Sequence, residues 1–134
     1  MRLNLVIVDD APFIREVLKA ICGRTPDIVV VGEAANGEEA VKLALELKPD
    51  MMLMDIVMPI KSGIDATIEI LKNLPATKII ACSTVDENSM VLRALDAGCA
   101  DYLVKPFKAD QVLEVIRKAN QPLPKQPLNK ETPP

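Results

Sequence analysis

Histidine is absent from all 134 residues of the chain, and that gap removes much familiar chemistry. Serine–histidine–aspartate triads, cysteine–histidine nucleophiles and histidine-ligated metals all need an imidazole. Cysteine is scarce as well: Cys22, Cys82 and Cys99 are odd in number and widely spaced. That pattern fits neither a disulfide framework nor a zinc site, so the three read as small buried hydrophobes. There is no basic cluster, and the formal net charge is -3, so direct binding to a nucleic-acid backbone has no obvious source. No apolar run is long enough to cross a membrane, and the opening stretch from Met1 runs into Asp9-Asp10 where a signal peptide would carry small residues. The expected location is the cytoplasm, without membrane association. A glycine-rich or Walker loop for ATP is also missing.

What the chain does have is enough for one core. With 49% hydrophobic residues in 134, the length suits a single compact domain and is too short for two ordinary ones. Leu3 to Val8 is an apolar, β-branched run that stops at Asp9-Asp10, the pattern of a buried strand meeting a polar edge. Pro12 then suits a first helical turn; Phe13, Ile14, Val17, Leu18 and Ile21 recur on one face, and Gly23 can end the helix.

The same unit repeats along the chain. Ile28 to Val31 reads as a strand, and Asn36-Gly37-Glu38-Glu39 resembles a capping box before Ala40, Leu43, Ala44 and Leu47. Met51 to Met54 makes a short strand ending at Asp55, followed by turn signals at Pro59 and Ser62-Gly63 and a helix carrying Ile64, Ile68 and Leu71. Lys78 to Cys82 ends at Ser83-Thr84; Asp86 can cap a helix with Met90, Val91, Ala94 and Leu95 that Gly98 closes. Tyr102 to Val104 leads to Lys105-Pro106, and Val112, Val115, Ile116 and Ala119 mark a last helix. Strands alternating with helices imply an α/β fold, a doubly wound parallel sheet covered on both faces. Met51, Met52 and Met54 read as core rather than as soft-metal ligands. Residues 1–120 are expected to form the domain. Residues 121–134 hold five of the eleven prolines without any period and read as a tail or linker stub, with a free-standing protein expected.

Parallel strands bring their C-terminal ends to one crevice, where such folds bind ligands. Asp9 and Asp10 lie after the first strand, Asp55 after the third, Ser83 after the fourth and Lys105 after the fifth. A close pair of like charges costs about 4 kcal/mol at an effective dielectric near 20, so three carboxylates there call for a cation or a proton. All-oxygen ligation with open water positions suits Mg²⁺ better than zinc or copper. Taken singly, Asp9-Asp10 could cap a helix and a strand-end serine or Lys-Pro is common. Four kinds of group at the correct ends of four strands are hard to obtain that way.

With Asp55 in Asp55-Ile56-Val57-Met58-Pro59, Ser83, and Lys105-Pro106-Phe107, these residues resemble the receiver domain of two-component response regulators over about residues 3–120. The resemblance implies five parallel strands in the order 2-1-3-4-5. It implies that Asp55 is the phosphoacceptor and that Asp9, Asp10, Asp55 and the backbone carbonyl of Val57 surround Mg²⁺. Lys105 would contact the phosphoryl oxygens, Ser83 would serve both catalysis and switching, Tyr102 would be the second switch residue, and Pro106 is the cis-peptide candidate. The chain would be no enzyme in its own right, only a phosphoacceptor that assists its own phosphorylation and slow dephosphorylation. Implied partners are a sensor histidine kinase or phosphotransfer protein as donor and a downstream target or output domain. A homodimer through the fourth helix, fifth strand and fifth helix is also implied.

Several positions depart from the family's habits. Val57 and Val85 occupy the two places that tune phosphate loss, and neither side chain can position a hydrolytic water, so slow decay is expected. Thr84 is bulkier than the usual residue there, and Lys61 is unusual in its loop. A dehalogenase-type phosphatase would need a second aspartate where Val57 stands. A flavin binder would need a hydroxyl-rich cradle where Asp9-Asp10-Ala11-Pro12 stands. The remaining alternative is a pseudo-receiver, a docking module that is never phosphorylated.

Overall fold

The computed structural model describes residues 2–84 and 88–121. Along the chain it runs β1 (Leu3–Val8), α1 (Pro12–Cys22), β2 (Ile28–Ala34), α2 (Gly37–Leu47), β3 (Met51–Asp55), α3 (Gly63–Asn73), β4 (Lys78–Ser83), α4 (Asn88–Asp96), β5 (Asp101–Val104) and α5 (Ala109–Asn120). The five strands form one parallel sheet in the order β2-β1-β3-β4-β5. This is the fold class and strand order that the sequence and its resemblance imply.

The pleat divides the apolar residues between two cores. Leu5, Ile7, Met51, Leu53, Ile80 and Cys82 face α1 and α5, whereas Val6, Val8, Met52, Met54, Ile79 and Ala81 face α2, α3 and α4. Because β1, β3 and β4 are covered on both sides, every other position in them must be apolar too, which turns a period of two into a continuous run. All three methionines of β3 are fully buried. The three cysteines are free and buried, and burial pushes the Cys22 thiol up to about 11, which leaves it an inert core side chain.

Four strands run further than the sequence suggests, three of them at the C-terminal, polar end and β5 at its start, Asp101. β2 continues past Val31 to Ala34, β3 includes Asp55 and β4 includes Ser83. Ladder bonds continue past the last apolar residue: Asp9 N–H donates to Ala34 O at 3.1 Å, and Ile56 N–H donates to Cys82 O at 3.2 Å. Hydropathy marks where the core ends, but pairing stops later.

The helix starts behave much as expected. Pro12 opens α1, and Gly23 follows its last turn. Asn36 Oδ1 accepts from Glu39 N–H at 2.9 Å, while Glu39 Oε1 reaches back to Ala35 N–H at 2.9 Å, one residue before the position a capping box would serve. Ser62 caps α3 by accepting from Asp65 N–H at 3.1 Å. Gly63 is required for a steric reason, since a Cβ there would lie 2.0 Å from the backbone oxygen of Asp55. Gly98 follows α4 with φ at +117°, a conformation that favours glycine. The expected cap Asp86, Val85, and the proline-rich residues from 122 onward lie outside the described residues.

Candidate functional site

Two strand ends deliver the three acids. β1 carries Asp9 and Asp10, and β3 carries Asp55; one carboxylate oxygen from each lies within 4.8 Å of the other two. Asp9 and Asp55 are buried and Asp10 is exposed. The turn after β1 is held locally, with Asp9 Oδ1 accepting from Ala11 N–H at 2.9 Å.

Lys105, just beyond β5, brings the opposite charge. Its Nζ lies 2.9 Å from Asp9 Oδ2 and 3.5 Å from Asp55 Oδ2. The angle at Asp9 Oδ2 is poor, so this buried oxygen has charge compensation but no aligned hydrogen bond among the described residues. Burial alone would lower the Lys105 pKa, and the neighbouring Asp9 and Asp55 carboxylates more than offset it, for a net rise. The ammonium is therefore a fixed charge.

Asp55 is the strained member of the group. Burial, and then the charge of Asp9, push its pKa up to about 7, against the opposing pull of Lys105 and of the Val57 amide. That amide makes a long contact of 3.5 Å with Asp55 Oδ1. One lysine does not neutralise three acids, so the cluster keeps a proton or takes a cation. The donor set fits a hard cation: carboxylate oxygens only, close together, one of them lacking an aligned donor.

Ser83 follows Cys82, the residue paired with Asp55 across the β3–β4 ladder. Its backbone oxygen accepts from Lys105 N–H at 2.7 Å, which ties the ends of β4 and β5 together. Its hydroxyl is buried with no hydrogen-bond partner among the described residues. A buried unpaired hydroxyl costs free energy, so Ser83 has a donor to offer at this end of the sheet. Ser83 also lines a cleft of about 330 Å³ with Val91, Leu95, Tyr102 and Val104. The Tyr102 ring is 43% exposed at that cleft.

Asp9, Asp10, Asp55 and Lys105 are thus gathered at one pole, with Ser83 on the neighbouring strand and Tyr102 across the α4–β5 cleft. Val57 is half exposed beside the acids, and the Lys105–Pro106 bond is cis. Sequence reasoning missed Arg15, whose Nη1 donates to the backbone oxygen of Asp9 at 2.7 Å, and Glu33, which holds Arg15 through a 3.0 Å contact to Nε. No local pattern pairs residues so far apart on a helix and an edge strand. Gly63 was read only as a turn signal.

The family model for the response regulator receiver domain matches residues 5–117. The chain is 46% identical over 121 residues to the chemotaxis protein CheY of Thermotoga maritima, covering 90% of this chain and 100% of that protein. It is also 46% identical over 117 residues to CheY of Listeria monocytogenes, covering 87% and 98% respectively. Among solved structures, the response regulator domain of Thermotoga maritima CheB matches with a TM-score of 0.82 and 39% identity over 89% of this chain and 96% of that one. A chain of the CheX–CheY–BeF3–Mg²⁺ complex from Borrelia burgdorferi matches with a TM-score of 0.83 and 27% identity over 90% of each. A strand-end acidic cluster beside a fixed lysine, on this sheet order and with these relatives, places the chain in the family of response regulator receiver domains of two-component signalling.

Proposed function

We propose that Asp55 accepts a phosphoryl group from a phosphohistidine on a separate protein, and that the new charge changes which partner the domain binds. The observation that carries this reading is the Asp55 carboxylate itself: buried, 3.5 Å from the Lys105 ammonium, and within 4.8 Å of two further acids. Its oxygen forms the new bond to phosphorus as the phosphorus–nitrogen bond of the donor breaks and the released imidazole keeps its electron pair. No general base is needed, since the carboxylate of Asp55, kept ionised by a bound cation, would itself be the nucleophile.

Asp9, Asp10, Asp55 and the backbone carbonyl of Val57 would hold Mg²⁺. When bound, the ion neutralises the acids and the charge that develops on the transferring oxygens. Lys105, already held beside Asp9 and Asp55, would contact the phosphoryl oxygens at little cost in reorganisation. Ser83 has a hydroxyl to donate, and a phosphoryl oxygen on Asp55 supplies the missing acceptor. Turning that hydroxyl towards the site frees room in the α4–β5 cleft, into which the Tyr102 ring can move. The affected face is α4, β5 and α5, where Leu92 and Tyr102 are exposed, and a downstream target, an output domain or a second copy would read it there. The Borrelia complex, which contains CheX, CheY, BeF3 and Mg²⁺ together, supports a reading in which a domain of this fold meets a metal ion and a partner protein.

The Val57 side chain is apolar and cannot itself orient a water towards Asp55, so the phosphoprotein is long-lived on this reading. The domain would act in the cytoplasm; no helix among the described residues is long and apolar enough to cross a membrane. Incubation with acetyl phosphate and Mg²⁺, followed by intact mass, tests the reading. One added phosphoryl group is expected, absent in Asp55→Ala and absent with EDTA. An unlabelled wild-type protein that nevertheless binds its partners would instead establish a phosphorylation-independent docking module.

A further inference from the structure

The three acids of the site are not held alike. Asp9 is buried, accepts from Ala11 N–H and touches Lys105; Asp55 is buried and paired with Lys105. Asp10 is exposed, and no hydrogen bond or ion pair among the described residues reaches its carboxylate. Its placement therefore depends on the backbone that carries it rather than on any polar partner of the carboxylate. The peptide that joins Asp9 to Asp10 has its oxygen fixed by Arg15 Nη1 at 2.7 Å. Arg15 in turn is held by Glu33 Oε1 at 3.0 Å, and the second oxygen of Glu33 takes Lys19 Nζ at 2.8 Å.

We propose that Arg15, clamped by Glu33 between α1 and β2, is a positioning residue that orients the Asp9–Asp10 peptide and so aims the Asp10 carboxylate at the other two acids. The clamp suits that task for three reasons. Arg15 is largely covered, with its side chain 19% exposed, so its planar fork is held in one orientation. In the site it grips a backbone oxygen, so it takes up none of the carboxylate oxygens of the acidic cluster. Glu33 offsets a positive charge that would otherwise repel a cation a few atoms away.

This inference rests on the reading that the acids bind a divalent cation, and the sign of one measurement separates it from simple electrostatics. Removing a positive charge near a cation site should tighten Mg²⁺ binding, whereas losing the orientation of Asp10 should weaken it. In calorimetric titrations with Mg²⁺ alone, Arg15→Ala is expected to bind about tenfold more weakly than the wild type, the lower end of the effect of outer-shell groups on metal sites. At saturating Mg²⁺ its rate of labelling by acetyl phosphate should return to within about twofold of wild type. Because the effect runs through Asp10, the same substitution in an Asp10→Asn background should cost less than about twofold. Should Arg15→Ala fold poorly, Arg15→Lys keeps the charge, cannot serve both partners at once, and is expected to weaken Mg²⁺ roughly threefold. Equal or tighter binding in these variants, or an undiminished penalty in the Asp10→Asn background, overturns the proposal. A wild-type protein that neither binds Mg²⁺ nor is labelled would overturn the functional reading beneath it as well; a wild type that does both, beside unaffected variants, would overturn the clamp alone.

Discussion

At the N-terminal end of the sheet Asp50 Oδ2 accepts from Asn4 N–H at 2.8 Å, Thr77 Oγ1 donates to Pro49 O at 3.2 Å, and Lys78 Nζ donates to Ala119 O at 3.2 Å. At the C-terminal end, among the described residues, Ser83 Oγ has no partner and Asp9 Oδ2 has no aligned donor, and Asp55 has its pKa raised to about 7. The same strands thus begin in satisfied polar groups and end in frustrated ones. Frustration at one end is what binding can relieve, since a ligand stabilises only a state that lacks what the ligand brings. The quiet end supplies the stability that the other end spends.

Exchanging a lysine at each end gives the largest contrast. Lys105→Ala leaves Asp9 and Asp55 facing each other without their ammonium. Breaking a fully buried pair costs 3–5 kcal/mol, and the partial exposure of Lys105 reduces the expectation to about 2 kcal/mol. Labelling of Asp55 should fall by at least about a hundredfold, as it does when a preorganised charge is removed from a transition state. Lys78→Ala loses one hydrogen bond at the last turn of α5, about 1 kcal/mol, with labelling unchanged. Urea melts in EDTA and in Mg²⁺ check both, and Mg²⁺ should recover much of the loss in Lys105→Ala only. Equal stability losses with no recovery would erase the distinction between the ends.

A pH series sharpens it further. Asp55 has an ordinary pKa of 3.8 and is raised to about 7 by burial and by Asp9. The folded state therefore binds more protons than the unfolded one between those values. Stability from this group is full below the lower value and is lost as pH rises through the upper one. The gap sets a ceiling of about 4 kcal/mol, and access of water to the pocket lowers the expected loss to about 1.5 kcal/mol between pH 5 and pH 8. In EDTA the wild type should lose that much relative to Asp55→Asn, and added Mg²⁺ should close the difference. Parallel stability curves would mean that Asp55 is not the frustrated group.

The sequence is legible where one residue reports one local fact. Apolar runs located all five strands, and Pro12 and Asn36 marked helix starts, because burial and capping act within a few residues; Ser62 reads only as a turn signal and its capping of α3 shows in the structure alone. Asp9, Asp10, Asp55, Ser83 and Lys105 could be placed together because parallel strands must deliver their ends to one side. What stayed hidden depends on neighbours across the sheet. Glu33 in β2, Asp55 at the end of β3 and Ser83 at the end of β4 pair without being apolar, Gly63 is set by the backbone of Asp55 rather than by its turn, and the Arg15–Glu33 clamp joins a helix to an edge strand. The unpartnered Ser83 hydroxyl is likewise invisible in a string that shows only a serine after a strand.

Two hydroxyls supply the smallest and most discriminating contrast. Thr77→Val at the N-terminal end removes the donor to Pro49 O and leaves that carbonyl buried, so a loss of about 1 kcal/mol is expected. Ser83→Ala at the other end removes no hydrogen bond and relieves an unsatisfied polar atom, so its stability should be unchanged or raised by about 0.5 kcal/mol. The order reverses in function: Thr77→Val should leave labelling and the Tyr102 environment untouched, whereas Ser83→Ala should slow labelling and uncouple Tyr102 from phosphorylation. Thermal melts beside nuclear magnetic resonance of the single tyrosine, before and after acetyl phosphate, read both halves. A Ser83→Ala protein that is clearly destabilised would show that its hydroxyl has a partner already, and the sense in which that end of the sheet waits for a ligand would be lost.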